Sequence, residues 1–367
     1  MNAKALLLGL LLPVMTQAVT TQAVITQAAA AQGFAGLGRD AADYIPVTAP
    51  AALAFPRDHG AHPGFRIEWW YLTANLTGPD GEELGAQWTL FRQGLSPGPE
   101  TSGWGSNAVW MAHAAVTTEE THVFAETFAR GGIGQAGVVA APFAAYIDDW
   151  SIRGADPVGE ADALAEIAIE AQGRDFSYDL RARAVPPPVP QGEGGFSVKS
   201  EAGQASYYYS QPFYSVTGTV HLGPDTIPVT GTAWLDREWS SQALAPDQRG
   251  WDWFALSLAS GARVMLFALR SDTAAPFLSG TWIAPDGTPT PLARDEIALT
   301  PLNETRVADR RLPTRWRVEV PRFGLDTIAE ALNPAAWMGT VYPYWEGPIL
   351  LDGGAAGRGY LEMTGYR

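Results

Sequence analysis

Cysteine is absent from all 367 residues, and lysine occurs only at Lys4 and Lys199. The first absence excludes disulfides, thiolate metal sites, a cysteine nucleophile and a lipid-modified cysteine behind a leader. The second, with a net charge of −15, leaves no basic surface able to track a phosphate backbone or dock on anionic lipid. Charged residues are only 17% of the chain against 46% hydrophobic ones, which excludes a solvated disordered protein. Long apolar runs are scarce too. Ala5 to Val14, interrupted by Pro13, is too short to span a bilayer, so no transmembrane anchor is expected after processing.

What is present is aromatic and turn-forming. The chain holds 14 Trp, 12 Tyr and 14 Phe beside 39 Gly and 28 Pro, which favours many short strands over long helices. Apolar and polar residues alternate from Phe65 onward, with hairpin turns expected at Gly78-Pro-Asp-Gly81, Thr118-Glu-Glu120 and Gly223-Pro-Asp225. Ala144 to Arg153 reads as one strand, and Thr327 to Leu332 as helical. The spacing predicts an all-β protein of barrel or sandwich type. Residues 44–240 form an expected first domain, with the Pro186-Pro-Pro-Val-Pro190 stretch as an internal loop, and 241–367 a second.

Lys4, the apolar run after it and the small residues Ala28 to Ala31 read as a cleavable secretory signal over residues 1–31. The five-residue repeat of Thr16, Thr21 and Thr26, each followed by Gln-Ala, is low-complexity sequence inside that segment. The mature protein is expected in the periplasm or outside the cell, with a core large enough to do without disulfides.

Chemistry concentrates in Gly231-Thr-Ala-Trp-Leu-Asp-Arg-Glu-Trp239 and Gly250-Trp-Asp-Trp-Phe254. On a strand, Trp234, Asp236 and Glu238 share one face, with the two carboxylates roughly 7 Å apart, while Leu235, Arg237 and Trp239 take the other. Such acids are either structural ion pairs or cavity groups. Arg66, Glu68 and Trp70 share a face in the same way, and Glu68 is either paired, with Arg66 or a tyrosine hydroxyl, or part of a pocket. In Ser206-Tyr-Tyr-Tyr-Ser-Gln211, Tyr207 and Tyr209 point together and suit a cavity holding a long apolar ligand, or a packed aromatic core. His113 is a candidate polar group in such a cavity. The terminal Gly359-Tyr-Leu-Glu-Met-Thr-Gly-Tyr366, like Tyr344-Trp-Glu-Gly347, reads as a strand sealing the second domain.

Two motifs are rejected. His59-Gly-Ala-His62 lacks ligand geometry because Gly60 and Pro63 break it, so no metal or other cofactor is expected. Gly94-Leu-Ser-Pro-Gly98 imitates a nucleophile elbow, but Pro97 has no N–H for an oxyanion and loop sequence follows.

Taken in order, His62-Pro63 with Ile67-Glu-Trp-Trp-Tyr71, Tyr209-Ser210, Trp234-Leu-Asp-Arg-Glu-Trp239, the Gly250 motif and Gly359 to Tyr366 resemble the AttH / hydroxyneurosporene synthase family, which includes carotenoid 1,2-hydratases. The resemblance covers nearly the whole mature chain and implies two lipocalin-like β-barrels packed together. If hydratase chemistry carries over, it implies Asp236 as an acid kept protonated by burial and a neighbouring carboxylate. Glu238 would be that neighbour or the base that positions water, and Trp234, Trp251 and Trp253 would stabilise a cation. Arg237 stands between the acids and would spoil the acid if it reached them, although alternation points it away.

Three functions are compatible with these observations, the first being the expected one and the other two its alternatives. The first is a periplasmic carrier of an apolar lipid or isoprenoid, serving an ABC-type export system and binding no nucleic acid. The second is a hydratase adding water to an isoprenoid double bond. The third is a secreted hydrolase without a recognisable nucleophile. Acids titrating near neutrality favour the enzyme, and acids locked to an arginine favour the carrier.

Overall fold

The computed structural model describes residues 41–98, 101–155 and 162–366, and the expected signal segment over 1–31 lies outside them. Among the described residues the regular elements are strands and single turns of 3-10 helix. The protein is all-β, as its alternation predicts. Two local expectations fail. Thr327 to Leu332 is not helical, because Leu325–Ala331 is a strand held on both sides by Arg315–Val320 and Tyr344–Gly353. Pairing on two flanks outweighs the helical preference of a short Ala/Glu-containing run. The expected single strand Ala144 to Arg153 is a hairpin of Phe143–Ile147 and Trp150–Gly154, turned at Asp148 with φ 51°. Aspartate is among the few side chains that tolerate that left-handed conformation.

The first sheet is built outward from Ile67–Thr77. On one side follow Glu83–Gly94, Ala108–Thr118 and His122–Arg130 as an antiparallel meander. On the other side lie Asp225–Ser240, then Ala205–Leu222 and Phe176–Arg183, with four shorter strands beyond. The sheet curls into a nearly closed barrel, so Trp70, Leu72 and Trp88 from one half share a core with Phe143, Ile152 and Leu180 from the other. The second sheet centres on Gln248–Leu258, Arg263–Ser271, Gly357–Met363 and Tyr344–Gly353. It forms a half-barrel around Phe254, Leu256, Trp316, Val318 and Trp345. The two curved sheets are the lipocalin-like barrels that the family resemblance implies.

A third apolar cluster lies between the sheets. Ile67, Tyr71, Tyr208 and Trp234 from the first pack against Trp253, Phe267, Leu269 and Tyr360 from the second. The central strands of the first sheet are therefore buried on both faces: Glu68, Trp70 and Leu72 point into the first barrel, whereas Ile67, Trp69 and Tyr71 point toward the second sheet. A bulge between Gln211 and Tyr214, at Pro212, resets the long Ala205–Leu222 strand. Proline cannot donate to the ladder, and the extra residue lets Tyr209 and Tyr214 both enter the first barrel despite their odd spacing.

Candidate functional site

The space between the sheets holds a cavity of about 180 Å³. Strand register builds it row by row. Tyr71, Asp236 and Ser210 stand side by side on three adjacent strands, and the next row is Trp69, Glu238 and Tyr208. Facing them, Phe267, Trp253, Glu362 and Glu346 form a row across the second sheet. His113, Lys199, Trp251 and Tyr344 complete the polar and aromatic wall, and the partly exposed Phe128 and Tyr342 stand at the opening.

Asp236 is the centre of this arrangement. Its Oδ1 accepts from Ser210 Oγ at 2.5 Å and from the Trp234 indole N–H at 2.6 Å. Burial nevertheless pushes its pKa up from 3.8 to about 7, with the neighbouring Glu238 adding to the rise and the bonds from Ser210, Trp234 and Tyr208 opposing it. Glu238 lies beside Lys199, whose Nζ is 2.8 Å from Oε1, and also accepts from Ser206 Oγ. One of only two lysines in the chain is thus buried here, its ammonium 3.9 Å from the centre of the Phe267 ring. Burial lowers the Lys199 pKa, against the pull of Glu238 and Asp236.

The second sheet contributes two more acids. Burial raises Glu362 to about 7, Glu238 and Asp236 add to that rise, and a 2.9 Å bond from the Trp251 indole works against it. Glu346, the register partner of Glu362, is pushed well above the carboxylate range, first by burial and then by Glu362. It accepts the Tyr71 hydroxyl at 2.5 Å across the interface. His113 links the sheets as well, through Tyr344 at 2.9 Å, while its other ring nitrogen lies 3.1 Å from Glu126 on the adjacent strand of its own sheet. Burial lowers its pKa although Glu126 supports the charged form.

A stability prediction follows from Asp236. Its folded pKa is raised, so its contribution is complete below about 3.8 and is lost as pH rises through about 7. Between pH 5 and 8 that loss amounts to about 3 kcal/mol. His113 and His122, whose pKa values burial lowers, act in the opposite sense at the acidic end. Urea titrations across this range should therefore show wild type losing stability relative to Asp236→Asn, and parallel curves would refute the assignment.

The residues singled out from sequence divide between the two faces. Asp236, Glu238, His113, Trp251 and Trp253 line the cavity. Trp234 stands behind Asp236 as a hydrogen-bond donor. Glu68, Trp70, Tyr207 and Tyr209 do not reach it, because they belong to the rows Glu68–Trp239–Tyr207 and Trp70–Arg237–Tyr209 on the reverse face. There Glu68 pairs with Arg237 at 2.5 Å and Arg92 at 3.3 Å, with His62 at 3.3 Å, rather than with Arg66 or a tyrosine. Tyr209 bonds to His59 at 2.7 Å, and Tyr207 donates to the Thr48 carbonyl at 2.9 Å. Arg237 thus turns away from both cavity acids. Glu346 and Glu362 do more than seal a sheet, and Tyr71, Tyr208 and Lys199 were not singled out. The signal that could have found Lys199 is its rarity, a lysine in a chain that otherwise uses arginine.

A family model described as AttH-like matches residues 46–366. The chain belongs to the AttH-like family. A Nitrosomonas europaea protein assigned to AttH is 32% identical, with a TM-score of 0.76 over 88% of this chain and 100% of that one. Kievitone hydratase from Nectria haematococca superposes with a TM-score of 0.64 at 14% identity, covering 88% of this AttH-like chain and 96% of its own. CghA with Sch210972 reaches 0.50 at 13% identity, over 82% and 88% of the two chains. The last two likenesses are of fold. No curated protein sequence matches this AttH-like chain.

Proposed function

We propose that this AttH-like chain is a hydratase, adding water across a carbon–carbon double bond of an apolar, isoprenoid-like molecule held between the two sheets. The observation that carries this reading is Asp236: a buried carboxyl in an aromatic cavity, poised at about 7 and free of Arg237, which is engaged by Glu68. An acid near neutrality holds a proton yet can release it, which is what general-acid catalysis of alkene hydration needs.

In the proposed cycle the π pair of the alkene takes the Asp236 proton, forming a C–H bond and leaving a carbocation at the other carbon. The π clouds of Trp251 and Trp253 stabilise that charge. Water bonds to the cation and gives its surplus proton to Glu238, which Lys199 and Ser206 hold in place, and proton exchange with solvent returns Glu238 to its carboxylate and Asp236 to its acid form to close the cycle. The hydratase fold neighbour is consistent with this chemistry. The carrier reading uses the same apolar wall but gives Asp236 and Glu238 no task. Among the described residues that line the cavity, His113 is engaged by Tyr344 and Glu126 and activates no serine or threonine, which leaves the hydrolase reading without a nucleophile there.

The test is mass spectrometry of an organic extract after incubating the purified protein in water labelled with heavy oxygen. Reversible hydration introduces the label into a hydroxyl of the bound compound. An unlabelled but stoichiometric compound would sink the hydratase reading and favour the carrier.

A further inference from the structure

The cavity uses only half of two sequence motifs. In Gly250-Trp-Asp-Trp-Phe254, Trp251 and Trp253 face it, and strand alternation turns Asp252 to the reverse side. Glu362 faces it, while Tyr366 near the end of the same segment does not. On the neighbouring strand Phe267 and Leu269 line the cavity, whereas Ala268 and Arg270 lie behind it.

These reverse-side residues meet in a second hollow of about 600 Å³ within the half-barrel. Its floor is polar and built. Asp252 is 1% exposed, accepts the Tyr366 hydroxyl at 3.0 Å and lies 3.2 Å from Arg270 Nε. The Arg270 guanidinium sits 3.8 Å above the Tyr366 ring. The walls are apolar, from Leu278, Leu299 and Trp316. An ion pair whose acid is buried and whose arginine is 22% exposed contributes little net stability over apolar packing, so its place under an apolar well calls for another reason. The volume suits a small molecule.

The lining also constrains the ligand. Arg270 and Arg294 are balanced by Asp252 and Asp295, so the well carries no excess charge to attract an ion. Asp252 and Arg270 place an acceptor beside a donor, which matches a group that both gives and takes a hydrogen bond.

We propose that this hollow is a second binding site, for a neutral apolar molecule ending in a hydroxyl or carboxamide. The body lies against Leu278, Leu299 and Trp316, and the polar end meets Asp252 and Arg270. The site is separate from the inter-sheet cavity and does not depend on the hydratase reading.

Calorimetric titration with decanol, and with decanoate as the charged molecule of equal chain length, tests it. Saturable decanol binding is expected, at least tenfold tighter than decanoate. It should weaken at least tenfold in Leu299→Trp and Leu278→Trp, which fill the well, and severalfold in Arg270→Gln, while Asp236→Asn leaves it unchanged. Circular dichroism identifies any variant that fails to fold, and the remaining variants decide. Equal affinity for decanoate, no saturable decanol binding, or affinity untouched by the folded variants would overturn the proposal.

Discussion

Arg237→Ala should destabilise the protein by about 3–5 kcal/mol, the range for stripping one partner from a buried ion pair. Arg237 is fully buried; its Nη2 bonds to Glu68 and to the Gly60 carbonyl at 2.6 Å, and its Nη1 to the Glu238 carbonyl at 3.1 Å. Its guanidinium lies 3.9 Å from the centre of the Trp70 ring and 4.8 Å from that of Trp239. Burial alone would raise the Glu68 pKa, but Arg237, with His62 and Arg92, brings it down to about 2. Glu68 therefore stays charged, and without Arg237 it keeps that charge in a sealed core or must take up a proton. Urea denaturation measures the loss. Glu68→Gln in the Arg237→Ala background should recover a substantial part of it, since the stranded charge is then gone. A loss under about 1 kcal/mol for Arg237→Ala would show that the pair does not hold the barrel.

Asp236→Asn should slow hydration by about two to four orders of magnitude, the contribution of one positioned proton donor. The amide keeps the shape and still accepts from Ser210 and Trp234, so the fold and the bound compound should be retained. The wild-type rate should also fall as pH rises through about 7, where Asp236 loses the proton it must donate. Both effects can be read from the rate at which heavy oxygen enters the extracted compound. An unchanged rate in Asp236→Asn would remove Asp236 from the chemistry. A variant that folds but retains no compound would make it a binding group instead.

The pairing of Asp236 with Glu238 on one face, and of Arg237 on the other, was legible in the sequence because strand alternation has a period of two. The position of Tyr207 and Tyr209 was not. Alternation assigns them together, but it says nothing of which face meets the second sheet, and the central strands of the first sheet are buried on both. In an ordinary half-exposed strand the polar face marks itself. Here Glu68 on the barrel face and Asp236 on the inter-sheet face look alike in sequence, and their partners alone separate them: Arg237 and Arg92 for one, Ser210 and Trp234 for the other.

Composition and alternation by themselves determined the all-β class, the exclusion of thiol chemistry and the acids that share a strand face. Those properties are local or additive, so they can be read residue by residue. Only the tertiary structure decided that Tyr208 rather than its neighbours faces the acids, that Lys199 and Glu362 converge on them, and that Asp252 stands over a separate hollow. Residues more than a hundred positions apart meet there because two curved sheets pack face to face. Their pKa values follow from that packing, since burial, which no single strand can supply, is the largest influence on Asp236 and Glu362.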